Sequence, residues 1–326
     1  MNPLTRGSSV VLAMALALLA VLAATLVDGS DRSAVLGALV LGVVVLGLPH
    51  GAADPWVAAA ACRPSPAGRG RLAFFAGYIG LGLLVVAGWS LWPVVSLIGF
   101  LLVSLLHFGL ADTRERSTFD SDRVAAVLQR GMLPIALPIG LHPTEVAVIF
   151  GELVGADAQV FQRPVEITGT LALGIFTVLS GWLVLRISVQ RGPRAGLLEL
   201  VESGGLATLF LVLPLLPAFA LYFGGWHSAR HLLLLRGTLR RSTVSTRTIA
   251  IGGLAIWIAA VAFLVAAPEL LAALSPDRST SSVETLAGIE LLPAIFVGLA
   301  GLTVPHVVLT DLVAGSRGLW SPAGSA

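Results

Sequence analysis

The chain has 326 residues, of which 56% are hydrophobic and only 12% charged, against roughly a quarter charged in ordinary soluble domains. Its mean hydropathy is +0.92. A soluble fold of this length has too little polar surface to cover so much apolar material. That excludes a typical cytosolic enzyme, a disordered chain and a nucleic-acid-binding module, and points to a polytopic membrane protein.

The apolar runs reach helical span length, and no window alternates as a transmembrane β-strand does, so the expected class is all-α, a transmembrane bundle of about 8–10 helices. The first run, 8–27, follows Arg6. Its core is too long for a typical signal peptide and no clean cleavage site follows, so it is read as a retained first helix, with a cleaved signal as the weaker reading. Further runs lie near 33–50, 72–92, 94–111, 124–140, 167–187, 197–235, 248–267 and 286–311. The whole of 1–326 is expected to form one integral membrane domain in the cell (cytoplasmic) membrane.

Arginines orient the runs by the positive-inside rule. Arg63, Arg69 and Arg71 form one group, Arg114, Arg116 and Arg123 a second, Arg186, Arg191 and Arg194 a third, and Arg236, Arg240, Arg241 and Arg247 a fourth. The opposite loops, including 145–157, are acidic or uncharged. All four groups face the cytoplasm only if 197–235 crosses twice, which Pro214-Leu-Leu-Pro217 permits because two prolines end or kink a helix. That gives ten crossings with both ends inside; eight or nine result if this segment is one kinked helix or the first helix is removed.

The remaining chemistry is sparse. Cys62 is the lone cysteine, so no disulfide within the chain and no Cys-based metal site can form. Every basic residue is arginine, which leaves no lysine for Schiff-base catalysis. The net charge is +2 and the arginines are scattered, so no nucleic-acid partner is implied.

Six histidines remain. His142, in a Leu-His-Pro loop, reads as a solvated loop residue. The other five lie within spans or at their ends: His50 in LGLPHGAADPW, His107 in SLLHFGLAD, His227 and His231 in WHSARH, and His306 in TVPHVVLTD. On the topology above all five sit in the cytoplasmic halves of their helices. One buried histidine is ordinarily a hydrogen-bonded core residue; five at one depth favour a shared site.

His227 and His231 are four residues apart, on one helix face, a spacing that suits two-point binding of one metal. With His50 and His107 they make four neutral nitrogen donors, a set suited to Fe, Zn, Cu or Ni rather than Mg or Ca. An acid follows three of the histidines: Asp54 after His50, Asp112 after His107 and Asp311 after His306. Such carboxylates either fix a ligand's tautomer or end the helices and pair with loop arginines, the latter reading being favoured for Asp112 and Asp311. Arg230 can hold an acid such as Asp54 or reach the interface. Phe108, Tyr222, Phe223 and Trp226, with Trp56, pack the core or line a slot for a flat conjugated ligand.

The segments LGLPHGAAD, LLHFGLAD and YFGGWHSARH, in that order, resemble signature segments of the Brp/Blh family of membrane β-carotene 15,15'-dioxygenases. The resemblance spans about 42–311, with TVPHVVL as a weaker match, and leaves 1–35 uncovered. It implies an enzyme that uses ferrous iron, Fe(2+), and O₂ to cleave β-carotene at its central double bond into two all-trans-retinal. Carried over by position, the ligands are His50, His107, His227 and His231, with His306 a polar pocket residue. The expected partners are β-carotene, O₂ and the lipid bilayer, with a functional link to a microbial rhodopsin.

Three other readings compete. A di-iron oxygenase needs about eight histidines in several clusters, more than this chain has. A histidine-lined transporter needs side chains stepping across the bilayer. A bis-His haem carrier needs facing pairs. A non-catalytic partner that delivers retinal to a rhodopsin is a further alternative.

Overall fold

A computed structural model describes residues 6–24, most of 35–61, 69–114, 120–239, parts of 251–262, and 291–316. The described residues are helical, without strands. The run near 248–267 lies largely outside them, as do the loop arginines Arg63, Arg116, Arg241 and Arg247.

The helices in chain order are α1 (Arg6–Ala24), α2 (42–51), α3 (Asp54–Ala61), α4 (Arg69–Leu91), α5 (Pro93–Thr113), α6 (Asp120–Leu141), α7 (Pro143–Val154), α8 (Ala158–Arg191), α9 (Pro193–Val212), α10 (215–239) and α11 (291–316). Among the described residues, eight helical stretches are long and apolar enough to cross a membrane. Large apolar side chains such as Leu171, Ile175, Val178 and Leu185 along α8 are exposed, a surface suited to lipid.

Proline marks the sharp junctions. Pro93, Pro143 and Pro193 each occupy the first position of a helix, where a missing N–H costs nothing. Before Pro193 the chain turns at Gly192, whose φ of +90° suits glycine. At Leu213-Pro214 the segment expected to break does so: α9 ends at Val212 and α10 starts at Leu215.

Two expectations are corrected here. The loop 145–157 is mostly the helix α7, which starts at Pro143 and ends at Gly155 in a left-handed conformation, φ 71°. Its acids had suggested a loop, yet Glu145 lies in the first turn, where a negative charge favours a helix. The span placed at 167–187 is also longer. Asp157 caps α8 by accepting from the Gln159 N–H at 2.8 Å. The resulting helix has 34 residues, roughly 51 Å at 1.5 Å per residue, beyond the roughly 30 Å of a bilayer core.

Among the described residues, three helices contain a π-helical stretch: Gly42–Gly47 in α2, Leu221–Ser228 in α10 and Val308–Val313 in α11. Each lies within a few residues of a proline, Pro49, Pro217 or Pro305.

The chain divides into two compact units. One holds Leu48–Val103 and Leu232–Ala326. Within it α4 packs on α11, with Gly82 against the Gly301 carbonyl, and a core of Ala53, Val57, Ala61, Leu235, Leu309 and Ala314 joins α3 to α11. The other holds Asn2–Gly47 and Ser104–His231. There α6, α8 and α9 pack together, α1 lies on α9, and the π stretch of α2 lies on that of α10. Glycine permits the closest crossings: a Cβ on Gly109 would strike the Val127 carbonyl, and one on Gly131 that of Leu105.

Helix α1 is built into this second unit. Its buried residues Ala13, Leu16, Ala17 and Ala20 recur with helical period on one face. Ala13 meets Gly205 of α9, and Leu16 meets Gly225 of α10.

Candidate metal-binding histidines and their carboxylates

The five span histidines are all buried, between 1% and 6% exposed. They occur as two clusters, one in each unit.

In the unit containing 104–231, His107 stands on α5 and His227 and His231 on α10. The His107 and His227 rings are 5.2 Å apart between centroids. His227 and His231, one turn apart, are nearly parallel at 6.5 Å. The carboxylate of Asp112 lies 3.3 Å from His227 Nδ1 through Oδ1. Its Oδ2 accepts from Tyr222 Oη at 2.8 Å and from Trp226 Nε1 at 2.7 Å. Phe108 packs edge-on against His227 at 4.6 Å, and Phe223 is stacked on it at 6.1 Å. Gly47 leaves room for the Phe223 ring, which a Cβ there would strike. Arg230, also buried, donates to Ser9 of α1 and lies 4.6 Å above the Trp226 ring.

In the other unit, His50 ends α2 and His306 lies in α11, their rings 4.9 Å apart and at 86°. His306 Nδ1 lies 2.8 and 2.9 Å from the two oxygens of Asp54. Tyr78 of α4 donates to Asp54 Oδ2 at 2.7 Å. The two units thus each hold a Tyr–Asp–His chain: Tyr222–Asp112–His227 and Tyr78–Asp54–His306. The protein has two tyrosines in all, and both are used this way.

The aspartates carry two corrections. Asp112 is not an interfacial partner of loop arginines; it is 2% exposed and serves His227 on another helix. Asp54 likewise serves His306 on another helix. Asp311 is partly buried and accepts from the adjacent Thr310 hydroxyl. His142 also departs from expectation: it is not a freely solvated loop residue, because its Nε2 sits 2.7 Å from the Phe210 carbonyl near the end of α9.

Reading by histidine alone passes over four groups. Tyr78 is one. The others are Arg130 on α6 and Glu199 and Glu202 on α9, buried together with Arg130 Nη2 at 2.8 and 2.9 Å from the two acids. Beside them Gln129 Nε2 lies 3.2 Å from both Ser180 and Ser203. Each was visible as an ionisable residue inside an expected span, the signal that marks intramembrane function or tightly paired structure.

The donors suit a soft-to-borderline divalent ion. Two imidazoles on one first-row ion, each nitrogen about 2.1 Å from it, have ring centres roughly 5 Å apart at right or tetrahedral angles and at most about 6.5 Å when opposed. His107–His227 and His50–His306 match the first separation, and His227–His231 sits at the limit. A carboxylate on Nδ1 leaves Nε2 to bind, the arrangement metal-bound histidines adopt. Among the described residues, no three His, Cys, Asp or Glu side chains close on a single point as a finished metal site.

Long apolar helices that carry buried imidazoles and carboxylates are those of a multi-pass membrane protein. Comparison with known proteins carries this further. The chain belongs to the β-carotene 15,15'-dioxygenase family, whose description matches residues 41–314. It is 30% identical over 278 residues to a β-carotene 15,15'-dioxygenase of uncultured marine bacterium 66A03, covering 83% of this chain and 91% of that protein. It is 32% identical over 210 residues to a probable β-carotene 15,15'-dioxygenase Blh of Halobacterium salinarum, covering 59% of each. No solved structure matches it. Helix α1 lies outside the family match.

Proposed function

We propose that the protein cleaves β-carotene with O₂ at the central 15,15' double bond, giving two all-trans-retinal, and that ferrous iron held by His50, His107, His227 and His231 serves this reaction. Family membership supports the substrate and reaction class. The observation that carries the metal reading is Asp112: a buried carboxylate fixed by Tyr222 and Trp226 and directed at the Nδ1 of His227, beside His107.

The iron would supply a binding place for O₂ and the electrons for its activation. The rest is the work of this chain. Asp112 accepts a hydrogen bond from His227 Nδ1, which keeps the ring proton there and puts the lone pair on Nε2, the nitrogen that would bind the metal. Tyr222 and Trp226, which were candidates to line a substrate slot, hold Asp112 in place with their polar atoms. Phe108 and Phe223 shield His227 with apolar surface and keep water from it. A hydrocarbon substrate offers no polar handle, so recognition rests on shape and on such aromatic faces. It dissolves in the bilayer, which accounts for an enzyme made of apolar helices.

Expression in carotene-producing bacteria tests the reaction. β-Carotene falls and retinal appears if the reading holds; unchanged carotene in cells containing the iron-loaded protein refutes it. His227→Ala and His231→Ala are each expected to remove both iron and turnover.

A further inference from the structure

His306 stands outside the four ligands assigned above, yet it is built as a ligand. Its Nδ1 lies 2.8 and 2.9 Å from the two oxygens of Asp54, and Tyr78 secures that carboxylate from the other side. A carboxylate can only accept, so the ring proton resides on Nδ1 and the lone pair on Nε2. His306 is thereby set in the tautomer that His227 receives from Asp112.

Its neighbour is His50, and the two rings are perpendicular with centroids 4.9 Å apart, the separation of two imidazoles at right angles on one ion. Both histidines directly follow a proline, Pro49 and Pro305, and both lie beside a π-helical stretch. Such stretches recur at functional sites because they re-aim one side chain without ending the helix. Packing alone does not call for a buried acid, a half-buried phenol and a buried imidazole on three helices, since each polar group removed from water is a liability in an apolar span.

We propose that His306 is a further metal ligand, paired with His50 on one ion, and that Asp54 and Tyr78 are its positioning residues. The proposal rests on the iron reading above and adds a donor that this reading omits. Asp54 fixes which nitrogen of His306 binds, and Tyr78 fixes the rotamer of Asp54.

The test uses the full-length protein in detergent, stripped of metal and titrated with Fe(2+), and separately with Co(2+), whose absorption reports ligand number and geometry. The variants are His306→Gly, Asp54→Asn and Tyr78→Phe, with His227→Ala as reference. The expected result is a fall in metal affinity of 10- to 100-fold for Asp54→Asn and a larger one for His306→Gly, with a changed Co(2+) spectrum in both. Added imidazole is expected to restore the spectrum and affinity of His306→Gly but not of Asp54→Asn. Wild-type affinity and spectrum in either variant overturns the proposal, and Asp54→Asn serves if the glycine variant does not fold. Wild-type protein that binds no metal at all overturns the iron reading and this one with it. Metal lost in His227→Ala but kept in His306→Gly overturns this proposal alone.

Discussion

Asparagine at position 112 changes one atom and asks whether the carboxylate works on His227 or merely fills space. Asp112 engages three groups, Tyr222 Oη, Trp226 Nε1 and His227 Nδ1, at 2.8, 2.7 and 3.3 Å. An amide keeps one oxygen and adds a donor. With its oxygen toward Tyr222 and Trp226, its NH₂ faces His227 Nδ1. That contact is favourable only if the imidazole moves its proton to Nε2, which removes the lone pair needed for a metal. The reverse orientation sets two donors against the indole N–H, which cannot turn away.

Either way one hydrogen bond to a charged group is lost, about 1.5–3 kcal/mol, and metal affinity or activity falls 10- to 100-fold. Iron content by elemental analysis and retinal formation by chromatography, each per mole of purified protein, provide the assay. Tyr222→Phe removes one bond to the carboxylate and leaves the tautomer intact, so it loses about 1.5–3 kcal/mol of stability and keeps most of its iron. Full iron and full turnover in Asp112→Asn would show that the carboxylate does not set the state of His227.

Further outcomes follow from the packing. Arg130→Met strands two buried acids and lowers stability by about 3–5 kcal/mol, seen as a reduced melting temperature in detergent; replacing Glu199 and Glu202 by leucine in the same chain restores much of it. Gly109→Ala drives a methyl into the Val127 carbonyl between His107 and Asp112, so it costs about 1–3 kcal/mol and also weakens iron retention, whereas Gly99→Ala meets open space and does neither. Ser9→Ala removes the hydroxyl that Arg230 reaches and lowers the melting temperature by the equivalent of about 1.5–3 kcal/mol. An unchanged melting temperature in that variant would separate α1 from the histidine-bearing helix.

The spans and histidines were legible because a chain this apolar leaves few polar residues to sort. The division of 197–235 was legible too, since prolines act locally. Legibility stopped where a partner lies far along the chain. Asp112 and His227 are 115 residues apart and Asp54 and His306 are 252 apart. Each aspartate stands next to a histidine in sequence, which gave no hint of the distant partner. A helix turn that brings Asp54 near His50 also points it at whatever α11 presents, and that choice belongs to tertiary packing. Tyr78 gave only its rarity, and α7 was hidden by acids that suit a helix start as well as a loop.

The Tyr78–Asp54–His306 chain also has an order in time. Tyr78 is made 24 residues after Asp54, and His306 comes 252 residues after it. At roughly 5–20 residues per second, the stretch from Tyr78 to His306 takes on the order of 10–50 s to synthesise. During that interval a carboxylate within an apolar segment has its phenol partner but not its imidazole. Tyr78 thus acts first as an escort for a charge entering the bilayer, and only later as a brace for a finished triad. Helix α11, far along the chain, is the one that completes it.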